Sequence, residues 1–153
     1  MADASATFDL KEIDAIGKLL DKAKLKPEVL RGFLDDAGSL IQRQSEDRFD
    51  DQTDPEGNEW KKLADKTIEY YQKKFPAALA NRSILLGEGR LRDSMTYNVS
   101  GTDSVTVGAT MIYAAVHQYG YKGIPARPYI GLSPDNMSEL ARFAELFLQE
   151  RLP

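Results

Sequence analysis

The chain has 153 residues and a mass of 17.1 kDa, which is long enough to enclose one hydrophobic core. Its net charge of −4 comes wholly from residues 1–75, where 13 Lys/Arg face 17 Asp/Glu, against 7 and 7 in residues 76–153. That balance argues against a dedicated DNA or RNA reader, which needs a concentrated basic surface, and the absence of cysteine rules out disulfides, thiolate metal sites and cysteine nucleophiles.

Residues 1–8 read as a flexible N-terminal tail, small and polar, without the basic-then-apolar order of a secretory leader. No apolar stretch approaches the roughly 20 residues that span a bilayer, so the expected compartment is the cytoplasm. Asp9 with Glu12 three residues later suggests a helix start, and Leu10, Ile13, Ile16, Leu19 and Leu20 give it an apolar stripe. A second helix opens at Pro27, where a missing N–H costs nothing. Its Leu30, Phe33, Leu34, Ala37, Leu40 and Ile41 recur every three or four residues, and the pattern continues to about Phe49.

An acidic loop over residues 50–59 follows, dense in turn formers, and then Trp60. Residues 63–74 read as a third helix carrying Tyr70 and Tyr71, stopped by Pro76. Near residue 84 the pattern changes. Residues 95–100 and 104–108 each alternate apolar with polar side chains around Gly101-Thr-Asp103, which predicts an antiparallel hairpin near 95–109. Residues 113–117 suit a turn or two of helix, and Arg127-Pro-Tyr-Ile130 is extended because the residue before proline is pushed out of the helical region. Ser133 and Pro134 open a last helix with Met137, Leu140, Ala141, Ala144, Phe147 and Leu148 on one face, widened by Phe143 and Leu146. The expected fold is one α+β domain over 1–153: N-terminal helices including a long one, a small antiparallel β-sheet, and a C-terminal helix.

The single histidine, His117, limits catalytic options. A serine hydrolase would need it as a base, and no Gly-x-Ser-x-Gly elbow exists to present a nucleophile. A packed structural histidine is the stronger reading. Asp50, Asp51, Asp54, Glu56 and Asn58 offer oxygen ligands, but their spacing fits no register of the calcium-loop pattern, so a solvated turn is favoured. The alternative function kept open is a divalent-metal-dependent enzyme or metal-binding module using the acidic loop 50–59. Gly87-Glu-Gly89 lacks the third glycine of a phosphate-binding loop. Trp60 is either an anchor pinning the acidic loop to the body, the favoured reading, or a contact with a neighbouring subunit.

Three segments together carry a resemblance. The first is Asp54-Pro-Glu-Gly-Asn-Glu-Trp60 with Leu63, Thr67 and then Lys73 or Lys74. Ile84-Leu-Leu-Gly-Glu-Gly-Arg-Leu-Arg-Asp-Ser94 is the second. The third is Tyr113-Ala-Ala-Val-His-Gln-Tyr-Gly120 followed by Ile124-Pro-Ala-Arg-Pro-Tyr-Ile-Gly-Leu-Ser133. In this order and spacing the chain resembles the phage virion morphogenesis family, the tail-completion proteins of Mu-like and P2-like phages.

The resemblance implies a non-enzymatic structural subunit of the head–tail junction, assembling as a homo-oligomeric ring beside other phage neck or tail proteins. It implies no cofactor, no catalytic residue and no membrane partner. DNA would pass the ring lumen without sequence-specific binding, and the protein would move from host cytoplasm into the virion. A host-encoded interaction module derived from a prophage gene is a third reading. Carried onto this sequence, the assembly candidates are Trp60, Arg90, Tyr113, His117, Gln118, Gly120, Arg127, Pro128 and Tyr129. Arg127 has the planar fork for bidentate pairing with a carboxylate, and Tyr113 and Tyr129 are expected to pack over the hairpin.

Overall fold

In the computed structural model of the chain, which describes residues 4–10, 12–74, 90–101 and 103–151, helices and strands are mixed along the sequence. The elements are β1 (Ala4–Asp9), α1 (Asp14–Ala23), α2 (Pro27–Asp51), α3 (Asp65–Lys74), α4 (Arg90–Asp93), β2 (Met95–Ser100), β3 (Ser104–Ala109), α5 (Ala114–Tyr119) and α6 (Pro134–Arg151). The expected α+β class holds: a long helix, a three-stranded antiparallel sheet and a C-terminal helix.

The long helix α2 organises the rest. Pro27 takes its first position and Gln52 closes it in the left-handed region, at φ 57°. Leu30, Phe33, Leu34, Ala37, Gly38, Ile41, Gln44, Ser45, Arg48 and Phe49 are buried, each three or four residues from another along one face. The first two-thirds of this stripe are apolar. At Gln44, Ser45 and Arg48 it turns polar while staying buried, and that change positions the site described below.

The sheet runs in the order β1-β3-β2, antiparallel throughout. The register aligns Ala4, Ala109 and Met95, then Ala6, Val107 and Tyr97, then Phe8, Val105 and Val99 on one face. That apolar face lies against α2. Contact is close enough to require glycine: a Cβ on Gly38 would stand 2.5 Å from Cδ2 of Tyr97. The other face carries Ser5, Thr7, Thr96, Asn98, Ser100, Ser104 and Thr106, as expected for a sheet solvated on one side. On the far side of α2 lies α6, which also contacts α1. Phe33 stacks on Phe143 at 5.5 Å and meets Phe147 edge-on at 5.4 Å.

Several expectations are corrected. Residues 4–8, read as tail, belong to β1. The alternation Ala4, Ala6, Phe8 against Ser5, Thr7, Asp9 is a strand pattern, obscured because two of its apolar members are alanines. Asp9 therefore ends a strand rather than starting a helix, and α1 begins at Asp14 after Ile13, with no side-chain cap. Glu12 instead donates its backbone N–H to the carbonyl of Asp9 at 3.1 Å, a turn between strand and helix. Phe143 is not spare surface, since it stacks in the core, whereas Leu146 is 50% exposed. The expected stop at Pro76, the Gly87-Glu-Gly89 motif and most of the second resembling segment lie outside the described residues.

Candidate functional site

The third resembling segment folds into a knot of hydrogen bonds around residues 127–130. This stretch is irregular and pairs with no described strand, so its backbone groups need other partners. Gln118, projecting from α5, acts as one. Its Oε1 accepts the N–H groups of Tyr129 and Ile130 at 3.0 and 3.1 Å, and its Nε2 donates to the carbonyl of Ile130 at 3.3 Å. The indole Nε1 of Trp60 donates to the carbonyl of Pro128 at 2.8 Å, and Nη1 of Arg48 to that of Tyr129 at 2.9 Å. The N–H of Arg127 reaches the carbonyl of His117 at 2.7 Å. Pro128 has no N–H to satisfy.

The side chains leaving this stretch are equally committed. Tyr129 is fully buried, tilts against Phe49 at 5.1 Å and donates its hydroxyl to the carbonyl of Ala114 at 2.9 Å. Burial raises its hydroxyl pKa, so it stays a donor. Arg127 does not pair with a carboxylate as expected. Its Nε and Nη2 donate to the carbonyls of Lys61 and Lys62 at 2.7 and 3.0 Å, clamping the chain just before α3. Carbonyls satisfy the guanidinium fork as well as an acid would and leave no second charge to bury. Trp60 is 5% exposed and edge-on to Phe49 at 5.6 Å, so within one chain it anchors the acidic loop. Gly120 has a φ of 81°, and a Cβ there would lie 3.0 Å from the carbonyl oxygen of Ile124.

His117 and Tyr113 meet edge-on at 5.8 Å. The imidazole Nδ1 is buried without a hydrogen-bond partner, whereas a triad base has that nitrogen held by an acid. Burial first, and the charge of Arg127 second, lower its pKa from the ordinary value. Tyr113 is partly buried against the core, and Tyr129 lies against Phe49 of α2. Of the nine assembly candidates, the structure joins Trp60, Gln118, Arg127, Pro128 and Tyr129 through the 127–130 backbone, with His117, Tyr113 and Gly120 alongside. Arg90 opens α4, and its side chain lies outside the described residues.

Arg48 was not among the candidates, yet it ties three parts of the chain together. It is 5% exposed, bonds the Tyr129 carbonyl and, through Nη2, the side-chain oxygen of Asn136. Asn136 in turn accepts the N–H of Ser133 at 3.2 Å while Ser133 Oγ accepts that of Asn136 at 2.9 Å, a reciprocal cap that starts α6. The signal for Arg48 was present in the spacing: it lies four residues beyond Gln44, three beyond Ser45 and seven beyond Ile41, on the buried stripe. Desolvation lowers its pKa, opposed by Glu56, Asp54 and Asp47.

Those carboxylates belong to an acidic groove between the end of α2, the 54–57 loop and the start of α6. Asp47, Asp51, Asp54, Glu56, Asp135 and Glu139 line it. Asp54 is consumed by the loop itself, its Oδ1 accepting the N–H groups of Glu56 and Asn58, both at 2.9 Å. Asp50 lies apart, paired with Arg92 at 3.2 Å. Among the described residues no three acidic or histidine side chains converge as a metal cage would require.

Comparison with known proteins agrees with the resembling segments. The chain is 33% identical over 105 residues to the G protein of Escherichia phage Mu, whose name assigns it to capsid assembly; the match covers 63% of this chain and 65% of that protein. It is 28% identical over 112 residues to Mu-like prophage FluMu G protein 1 of Haemophilus influenzae, covering 72% and 74%. The chain thus spans just under two-thirds of the Mu protein's length. No solved structure matches it. The phage virion morphogenesis family matches residues 11–149, which includes the Trp60 anchor, α5 and the whole 127–130 knot, and the chain belongs to that family.

Proposed function

We propose that this chain is a structural subunit of the bacteriophage head–tail junction, assembling as a ring during virion morphogenesis and not acting as an enzyme. The family match over residues 11–149 carries the reading. The name of the Mu relative points to the head and the resemblance to tail-completion proteins points to the tail; a subunit at their junction serves both. Two features of the chain agree. Its one histidine is half-buried, its Nδ1 without an orienting acid among the described residues, and its surface segregates charge into an acidic groove and a lysine-rich helix, α3, on different elements. A ring closes by heterologous contacts, one surface of each copy meeting a different surface of the next. An acidic protein also lets DNA pass a lumen without adhering. No helix among the described residues is long and apolar enough to cross a membrane, and the proposed location is the host cytoplasm followed by the virion.

Light scattering over a concentration series, with and without calcium, tests the ring. Calcium-independent growth toward one closed oligomer is expected. A tightly calcium-binding chain that never self-associates would overturn it. Phage lacking the protein should accumulate filled heads and finished tails that stay separate; normal particles would remove the chain from the junction.

A further inference from the structure

The acidic groove holds exposed carboxylates without partners among the described residues. Gln44 lines it and is 4% exposed, yet its Oε1 is buried without any hydrogen-bond partner. The amide orientation is fixed by the other end, where Nε2 donates to Glu139 at 3.0 Å and to the carbonyl of Asn136 at 3.4 Å. Around it Asp47, Asp51, Glu56 and Asp135 have side-chain carboxylates that make no hydrogen bond or ion pair among the described residues, and each is exposed. Glu139 has Arg43 at 3.3 Å, and Asp54 is occupied by its own loop. The open carboxylates call for an ammonium-bearing side chain, which brings both charge and N–H groups. The carboxylates are spread along the groove rather than converged, which suits an extended cationic surface better than a small ion.

The same chain offers such a surface. Helix α3 packs closely on no other described element, and none of its described side chains joins the core. Lys66, Tyr70, Lys73 and Lys74 fall within about 100° of one another around the helix, given 100° per residue. The three lysines are exposed and make no ion pair among the described residues, and Tyr70 is 54% exposed. The Arg127 clamp on Lys61 and Lys62 fixes the base from which α3 leaves the body.

We infer that α3 of one copy docks its Lys66, Lys73 and Lys74 face into the Gln44-floored acidic groove of a second copy. This rests on the ring reading and names its contact. Arm and groove are different surfaces, so the contact is heterologous and propagates around a ring. Being a contact between exposed charges, it weakens as salt rises.

The test is a charge swap in the full chain. One variant carries Asp47→Lys with Asp51→Lys, the other Lys73→Glu with Lys74→Glu. All four residues face solvent, so circular dichroism and melting should match the parent; if the groove pair misfolds, Asp47→Asn with Asp51→Asn replaces it. Each variant alone should self-associate at least about tenfold more weakly in sedimentation, equivalent to about 1.4 kcal/mol. Mixed one to one, they should regain the parent's oligomer, because each arm then finds a groove of opposite sign. Variants that assemble like the parent overturn this contact and leave the ring standing. Loss in each without rescue on mixing also overturns it. A parent that is monomeric at every concentration overturns the ring and this contact together, and calcium chloride alone filling the groove by calorimetry assigns it to a metal instead.

Discussion

The 127–130 knot and the α3 arm differ in how they use polar groups. In the knot nearly every polar atom is spent inside one chain. Gln118, Trp60 and Arg48 stand in for a missing neighbouring strand, and Arg127 closes on backbone carbonyls. In α3 and the facing walls of the acidic groove the charges are left in water, and one buried acceptor, Gln44 Oε1, is left without a donor. The third resembling segment therefore mostly builds the subunit, whereas the first also supplies the 54–57 wall of the groove and Lys73 or Lys74 of the arm. Interface residues and folding residues need not coincide, and here the more distinctive ones fold.

The comparison breaks most readily at Trp60. Trp60→Ala removes a side chain buried edge-on to Phe49 together with the hydrogen bond to Pro128, and should cost about 3–5 kcal/mol in urea unfolding. A loss under about 1 kcal/mol would mean the anchor is ornamental and would return Trp60 to the intersubunit role. Arg48→Met comes next. It keeps the apolar stem and removes the donors to Tyr129 and Asn136. Both hydrogen-bond partners are neutral, so only the attraction of Glu56, Asp54 and Asp47 for the charge is lost besides, and relief of guanidinium desolvation offsets part of the lost bonding. The expected cost is about 2 kcal/mol, with hydrogen exchange rising at residues 129–136 before the rest of the chain.

Much of this fold was legible because its periodicities are strong. The stripe from Leu30 to Ile41, the paired alternation around Gly101 and the Ser133-Pro134 cap each predict an element that is present. What was missed has a physical reason in each case. β1 alternates with alanine, which carries too little apolar signal to stand out from a polar tail. Arg48 and Gln44 lie on the α2 stripe, but a periodic reading that counts only apolar residues passes over them on its way to Phe49. The partner of Arg127 is a pair of main-chain carbonyls, and a sequence shows side chains, so a carboxylate was the natural expectation. The groove joins residues about 90 apart along the chain, Gln44 and Asn136 among them, and no local pattern reports such a meeting.

A smaller effect sharpens the knot's side of the comparison. His117 is the chain's one histidine, and its pKa is lowered by burial and then by Arg127. The folded state therefore binds its proton less readily than the unfolded chain does. Stability should be full above the ordinary value of 6.5 and decline as pH falls from there toward the folded pKa, after which this group adds no further loss. His117→Gln should flatten the slope between pH 6.5 and about 5, before most carboxylates titrate. A slope unchanged in that variant would show that the imidazole is not the group responsible.

The smallest stability effect belongs to the arm. Lys73→Gln with Lys74→Gln changes two exposed side chains on a helix that packs closely on no other described element. Unfolding free energy should move by no more than about 0.5 kcal/mol, the usual range for solvent-facing positions. Self-association at low salt should nevertheless weaken, and the gap between variant and parent should close as added salt screens the pair, with a Debye length near 10 Å at 0.1 M. A variant that loses stability by 2 kcal/mol or more would mean that α3 is packed into its own subunit. The contrast between a self-satisfied knot and an exposed, charged helix would then fail at its second term.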